Sequence, residues 1–162
     1  DRLLTLLPAI KDKKVVIAGA GPWLDKLQQA ARQYPNVLVV GPKDSVALQQ
    51  LYSQARCFLS LSRHEAFGLV MAEAMSCYTP VIATQTDGAT EQLKPGLNGM
   101  LVSQEGEEAQ LINRLTLAIE DFFAQSAEQY HTMQQQGRND AEQYLLSHVV
   151  GELQLIYQRA ML

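Results

Sequence analysis

The sequence of 162 residues contains only two cysteines. Cys57 and Cys77 lie in apolar surroundings without the spacing of metal ligands, so both read as buried thiols. A reducing compartment, the cytoplasm, is the expected location. There is no Asp-x-Asp, no pair of neighbouring cysteines and no His-x3-His, so no metal site is expected. Charge of either sign is sparse: 13 Lys and Arg against 17 Asp and Glu leave a net charge of −4. That balance argues against a broad surface for nucleic acid or anionic membrane, and any site for phosphate must be local. The longest apolar runs, Val15–Ala20 and Val37–Gly41, are far too short to span a bilayer. No signal or transit pattern opens the chain. The composition is that of an ordinary globular protein, 47% hydrophobic and 19% charged. The length fits one domain with a sizeable core and is too short for two full α/β domains. The first residue, Asp1, stands inside what reads as a helix, which leads us to expect a piece of a longer chain.

Apolar runs alternate with helical patterns. Leu3, Leu6, Leu7 and Ile10 recur at helical spacing, and Val15–Ala18 reads as a strand. Gly19-Ala20-Gly21-Pro22 is a turn, with Pro22 suited to a helix start and Leu24, Leu27, Ala30 and Ala31 on the helix. A second strand over Val37–Val40 precedes a helix capped by Asp44 or Ser45 and carrying Leu48, Leu51 and Tyr52. Cys57–Leu61, Val81–Ala83 and Met100–Val102 complete the strands, with a helix over Leu69–Ser76. Strands joined through helices imply right-handed crossovers and a parallel sheet covered on both faces. The fold class expected is α/β, a Rossmann-like, doubly wound parallel sheet. From about residue 107 the chain reads as helical, with breaks near Ser126, Gly137 and Ser147. The run Gln134-Gln135-Gln136 reads as a solvated helix face.

Ligands of an open parallel sheet bind beyond the carboxyl ends of its strands. Here that edge carries the loops Gly19–Pro22, Gly41–Asp44, Ser62–Gly68 and Thr84–Thr90. In the third, Gly68 lets the backbone approach a ligand, and a helix begins just after it. The unpaired N–H groups around Gly68 to Val70 favour an anion such as a diphosphate. Glu65 before that start and Glu73 inside the helix are separated by the order of 12 Å on helical rise. That length suits a ligand with hydroxyls at both ends and a diphosphate between, which describes a nucleotide sugar held by charge-assisted contacts.

The segment Glu65-x7-Glu73, with Phe67-Gly68-Leu69 inside it and Ala74-Met75 after it, resembles the signature of the retaining GT-B glycosyltransferases of group 1 (family 4). The likeness continues through Pro80–Thr84, Gly88-x-x-Glu91 and Gly96–Val102, and upstream through Val15–Pro22 and Val39-Val40-Gly41. It implies the C-terminal, donor-binding domain of a GT-B fold, with residues 1–162 forming one nucleotide-sugar-binding domain. The reaction implied is transfer of a hexose-type sugar to a glycan or lipid-linked acceptor. By the same likeness Glu65 is the catalytic-site carboxylate on the sugar hydroxyls. Phe67, Gly68, Leu69 and Val70 hold sugar and diphosphate through their amides, Glu73 holds the ribose, and Gly41, Pro42 and Lys43 lie near the base. Lys43 is equally readable as an ordinary exposed lysine.

The family needs no metal, and no cofactor is implied; the UDP- or GDP-linked sugar is a substrate. The family's Gly-Arg…Lys-Gly phosphate grip and its N-terminal acceptor domain are expected upstream of Asp1, so the fragment alone is expected to be inactive. The parent is expected to be cytoplasmic, with peripheral attachment to the inner membrane face and a role in polysaccharide biosynthesis as further expectations. His64 reads as structural or exposed, and Arg63 as either a phosphate neighbour or a surface ion pair. Two residues depart from the pattern. Asp87 replaces a glycine, where its carboxylate would touch the sugar or repel the diphosphate, and Tyr78 replaces a glycine expected to be structural. The competing readings are a nucleotide-sugar epimerase, a dinucleotide oxidoreductase and a non-catalytic or degenerate sugar-nucleotide module. The complete Glu-x7-Glu segment argues against the first, and Gly19-Ala20-Gly21-Pro22 lacks the third glycine needed for the second.

Overall fold

The computed structural model describes residues 1–160, apart from the side chains of 146, 147, 152, 155, 159 and 160. Its strands fall where β-branched residues cluster: Val15–Ala18 (β1), Val37–Gly41 (β2), Phe58–Ser60 (β3), Val81–Thr84 (β4) and Gly99–Val102 (β5). All pairings are parallel. β1 pairs with β2, and β4 runs between β3 and β5, with Ile82 opposite both Leu59 and Met100. Among the described residues no ladder joins β1 to β3, so the expected single sheet is hydrogen-bonded as two parallel parts. One core lies behind both, in which Leu6, Leu7, Ile82, Leu115 and Phe122 are fully enclosed.

Helices connect and flank these strands: Arg2–Leu6 (α1), Leu24–Ala31 (α2), Ser45–Gln54 (α3), Leu69–Ser76 (α4), Asp87–Gln92 (α5), Glu108–Ala124 (α6), Ala127–Ala141 (α7) and Leu146–Ala160 (α8). Pro8 tightens the end of the first helical segment into a 3₁₀ turn over Leu7–Ile10. Asp44 caps α3 through a bond from the Ala47 amide, as read from the sequence. Pro22 stands outside α2, whose N-cap is Trp23.

Four further expectations are corrected. Coverage on both faces holds for β4, which is buried along its whole length, but β1 alternates and leaves Val16 41% exposed, with Leu38 of β2 at 51%. The reason is where the helices go: α2 lies against β2, whereas α3 packs on α4. Gly137 does not break α7; it is buried where that helix presses on α4, facing Met75 and the Asn98 carbonyl. The glutamine run is not simply solvated, because Gln134 donates to the Tyr78 carbonyl at 2.8 Å and Gln136 to Asp140 at 3.1 Å. The cysteines are free and half-buried, not fully enclosed, and burial pushes the Cys57 thiol up to about 12.

The structural reading of Tyr78 has a specific cause. Tyr78 has φ +59°, and it follows α4 where the Thr79 amide returns to the Ala74 carbonyl and the Tyr78 amide to Met75, both at 3.0 Å. This is a Schellman ending, whose left-handed residue is usually glycine. After a 3₁₀ turn over Glu142–Tyr144, α8 leaves Val149, Val150, Leu153, Ile156 and Tyr157 exposed. Among the described residues no helix is long and apolar enough to cross a membrane.

Candidate functional site

The segment from Leu61 to Gly68 leaves the end of β3 and leads into α4, and its carbonyls are held one after another by distant residues. The Arg2 guanidinium, only 6% exposed, donates to the carbonyls of Leu61 at 3.3 Å and Ser62 at 3.2 Å. Thr84, at the end of β4, donates to Ser62 at 2.6 Å, and Gln104 donates to the Arg63 carbonyl at 3.1 Å. The Gly88 amide donates to the Glu65 carbonyl at 3.0 Å, and the Gln92 side chain bonds the carbonyls of Phe67 and Gly68. The Phe67 ring meets Tyr144 edge to face at 5.1 Å. A loop tied this way through its carbonyls is fixed before any ligand arrives.

The helix that follows begins with unspent donors. Gly68 is its N-cap at φ +77°, and no side chain caps it, whereas Asp44, Thr86 and Ser126 accept amide bonds at the starts of α3, α5 and α7. Leu69 and Val70 stand at its first two positions, and both are exposed. A helix start of this kind offers oriented N–H groups and the positive end of the helix dipole to an anion. A Cβ at Gly68 would lie 2.5 Å from Met71 Cε and 3.0 Å from Glu65 Cγ, so the stem of Glu65 rests against this glycine.

Beside the loop lies an open depression of about 680 Å³ lined by Arg2, Arg63, His64, Glu65, Ala66, Gln85, Thr86, Asp87, Gln104 and Glu108. Glu65 and Asp87 both line it. Its cations are engaged with acids: Arg2 meets Glu108 at 2.7 Å, and Arg63 meets Glu108 at 2.9 Å and Asp1 at 2.5 Å. Of the two readings of Arg63, the structure thus gives the ion pair. The bonds from Arg2 first, and then Arg63, hold the Glu108 carboxyl down at about 2. His64 is exposed at the rim.

Glu73 is exposed on α4, where the Tyr52 hydroxyl donates to its Oε2 at 3.4 Å. Burial first, and the neighbouring Glu73 second, push the Tyr52 hydroxyl up to about 12, so it stays a donor at neutral pH. The helix covers only the last part of the interval from Glu65 to Glu73, because α4 starts at Leu69; the rest is loop. The third group of expected residues, Gly41, Pro42 and Lys43, follows β2. Gly41 has φ +68° and accepts from the Gly19 amide at 2.8 Å, which joins two of the sheet-edge loops; Pro42 and Lys43 are exposed. No hydrogen bond among the described residues links this loop to Glu65 or Glu73.

Sequence reasoning missed α5 and the residues that hold the loop. By sequence the Thr84–Thr90 stretch reads as loop, yet Thr86 caps a helix over Asp87–Gln92. Gln92 is 2% exposed and holds two loop carbonyls, leaving its own Oε1 without a partner among the described residues. Asn98, fully buried, donates to the Gln92 carbonyl at 3.0 Å and to Asp140 at 2.9 Å. The local signal for Gln92 was only a polar residue in a short stretch without periodicity. Arg2 carried no signal, since its partners lie up to 106 positions away.

The family model described as glycosyl transferases group 1 matches residues 1–140. The chain is 29% identical over 150 residues to the N-acetyl-alpha-D-glucosaminyl L-malate synthase of Bacillus anthracis, covering 90% of this chain and 37% of that protein. It is 34% identical over 91 residues to a GDP-mannose-dependent alpha-(1-6)-phosphatidylinositol dimannoside mannosyltransferase of Mycobacterium tuberculosis, covering 56% of this chain and 24% of the relative. The pneumococcal O-GlcNAc transferase GtfA, solved in complex with UDP and GlcNAc, superposes with a TM-score of 0.80 at 19% identity, over 99% of this chain and 32% of that one. The last likeness shows the fold, a Rossmann-like domain of the GT-B kind. The chain thus spans well under half the length of each of these proteins.

Proposed function

The chain belongs to the glycosyl transferases of group 1, and on that footing we propose that it is the donor-binding domain of a retaining, two-domain GT-B transferase. The parent moves a hexose-type sugar from a UDP- or GDP-linked donor to a glycan or lipid-linked acceptor bound by a second, N-terminal domain. The observation that carries this reading is the uncapped start of α4, with Glu65 before it and Glu73 one turn inside. The diphosphate lies on the Leu69 and Val70 amides, the sugar hydroxyls meet Glu65 in the depression, and the ribose hydroxyls meet Glu73, steadied by Tyr52. The base extends toward Gly41, Pro42 and Lys43.

In the transfer the bond from the anomeric carbon to the diphosphate oxygen breaks, and the diphosphate leaves with the electron pair. A bond to the acceptor oxygen forms on the same face, and the acceptor's proton passes to the leaving phosphate or to water. Charge growing on the diphosphate is met by dipoles already oriented at the helix start. The reading invokes neither a metal nor a cofactor. Relatives support a nucleotide-linked donor, one being named GDP-mannose-dependent and a structural neighbour holding UDP. Since Arg2 and Arg63 are engaged by acids, neither is free to grip the diphosphate, and the chain by itself binds donor weakly. Cytoplasmic location, with the parent peripheral at the inner membrane face, belongs to the same proposal.

Calorimetric titration with UDP, GDP and ADP tests the reading. One nucleotide binds in preference to the others, and Glu73→Ala weakens it roughly tenfold, as expected for loss of a charge-assisted bond. Equal heats for all three, or an unchanged affinity in the variant, would contradict it.

A further inference from the structure

We propose that Asp87 reads the donor sugar together with Glu65 and confines the donor to uncharged sugars, turning away uronic acids. This rests on the donor-binding reading above and adds a substrate class to it. Three observations carry it. Asp87 and Glu65 line the same depression, and the Gly88 amide bonded to the Glu65 carbonyl at 3.0 Å fixes the two segments against each other. Asp87 is exposed at the first position of α5, so its carboxylate is available to a ligand. Finally, the charges of the depression do not cancel. Arg2 and Arg63 are matched by Glu108 and Asp1, while neither Glu65 nor Asp87 has a cationic partner among the described residues.

Two carboxylates without cations are poor company for a diphosphate or a sugar acid, and good acceptors for hydroxyls. Each oxygen takes charge-assisted bonds from neutral sugar O–H or N–H groups. The diphosphate has its own place at the α4 start, which leaves the acidic wall to the sugar. A uronic carboxylate brought to that wall meets two like charges across a partly wet cleft, a loss on the order of tenfold in affinity. The carboxylate at position 87, where the resemblance implies a glycine, thereby becomes a restriction on the donor.

The test is titration of the wild-type chain and Asp87→Asn with UDP, UDP-glucose and UDP-glucuronate, or with GDP, GDP-mannose and GDP-mannuronate if guanine is the base preferred. The wild type favours the neutral sugar by tenfold or more; Asp87→Asn narrows the gap to threefold or less, and Asp87→Glu keeps it. Asp87 also sits in the first turn of α5, where a negative charge favours the helix, so melting temperatures are recorded for each variant. A helix-capping role alone would shift melting and leave the ratio untouched, which overturns the proposal. Equal tightening of all three ligands in Asp87→Asn would place the carboxylate against the diphosphate and also overturn it. Absence of binding by every nucleotide overturns the donor reading itself, a result distinct from either.

Discussion

A Cβ placed on Gly88 would stand 2.2 Å from the Phe67 carbonyl oxygen, and main chain has no rotamer through which to escape. The same glycine donates its amide to the Glu65 carbonyl, so a shift there moves the loop that carries the site. Gly88→Ala is therefore expected to cost about 1–3 kcal/mol, as overpacking does, and to weaken nucleotide binding as well. Urea denaturation with a parallel titration checks both. Glu108 gives a pH-dependent counterpart. Its carboxyl titrates at about 2 in the fold, below its ordinary 4.5, so its stabilisation is complete above about 4.5 and is lost as pH falls toward 2. Melting temperatures of the wild type and Glu108→Gln should differ most near neutrality and converge through that window. A gap that stays constant into acid would show that the bonds from Arg2 and Arg63 contribute nothing.

Among the elements, α7 shows what local reading misses. Glycine is a poor helix residue, so a break at Gly137 is the natural expectation. The helix continues because that residue faces Met75 of α4, 62 positions earlier, and close packing outweighs the propensity. A Cβ there would find its nearest neighbours at 3.5 and 3.6 Å, ordinary contact distances. Gly137→Ala should therefore stabilise the chain by about 0.5–1 kcal/mol, read as a higher urea midpoint at unchanged slope. The opposite holds at Gly88, where the contact is far shorter. Strand β4 and helix α4 were legible to within a residue, because Val81–Ala83 is continuously apolar and Leu69–Ser76 carries Met71, Ala72, Ala74 and Met75 inward. Helix α5 was not, since Gly88, Ala89 and Thr90 form no amphipathic pattern and its burial comes from the loop it supports.

For the molecule as a whole, the layered order of strands and helices could be read from alternating apolar runs, but the division into two ladders could not. Whether β1 bonds to β3 depends on how the layers settle, and no residue in either strand encodes it. The site divides in the same way. The residues expected at the ligand, Glu65, Phe67, Gly68, Leu69, Val70 and Glu73, lie in one continuous stretch and were visible in sequence. Gln92, which holds the Phe67 and Gly68 carbonyls within it, and Arg2 and Gln104, which hold the carbonyls of Leu61 to Arg63 leading into it, come from three distant segments and were not. Asp87 stands out in sequence only as a departure from a pattern, and that it lines the same depression as Glu65 is visible only in the fold.

A diphosphate at the uncapped start of α4 would be felt by its amides, and at 18.0 kDa the chain is small enough to follow amide by amide. The most direct measurement is amide chemical-shift mapping of the isotope-labelled chain during titration with UDP and with GDP. The largest shifts are expected on Gly68, Leu69 and Val70, with smaller ones at Glu73 and Gly41. Shifts centred on Gly19–Gly21 with α4 unmoved, or none at saturating nucleotide, would contradict that placement of the diphosphate.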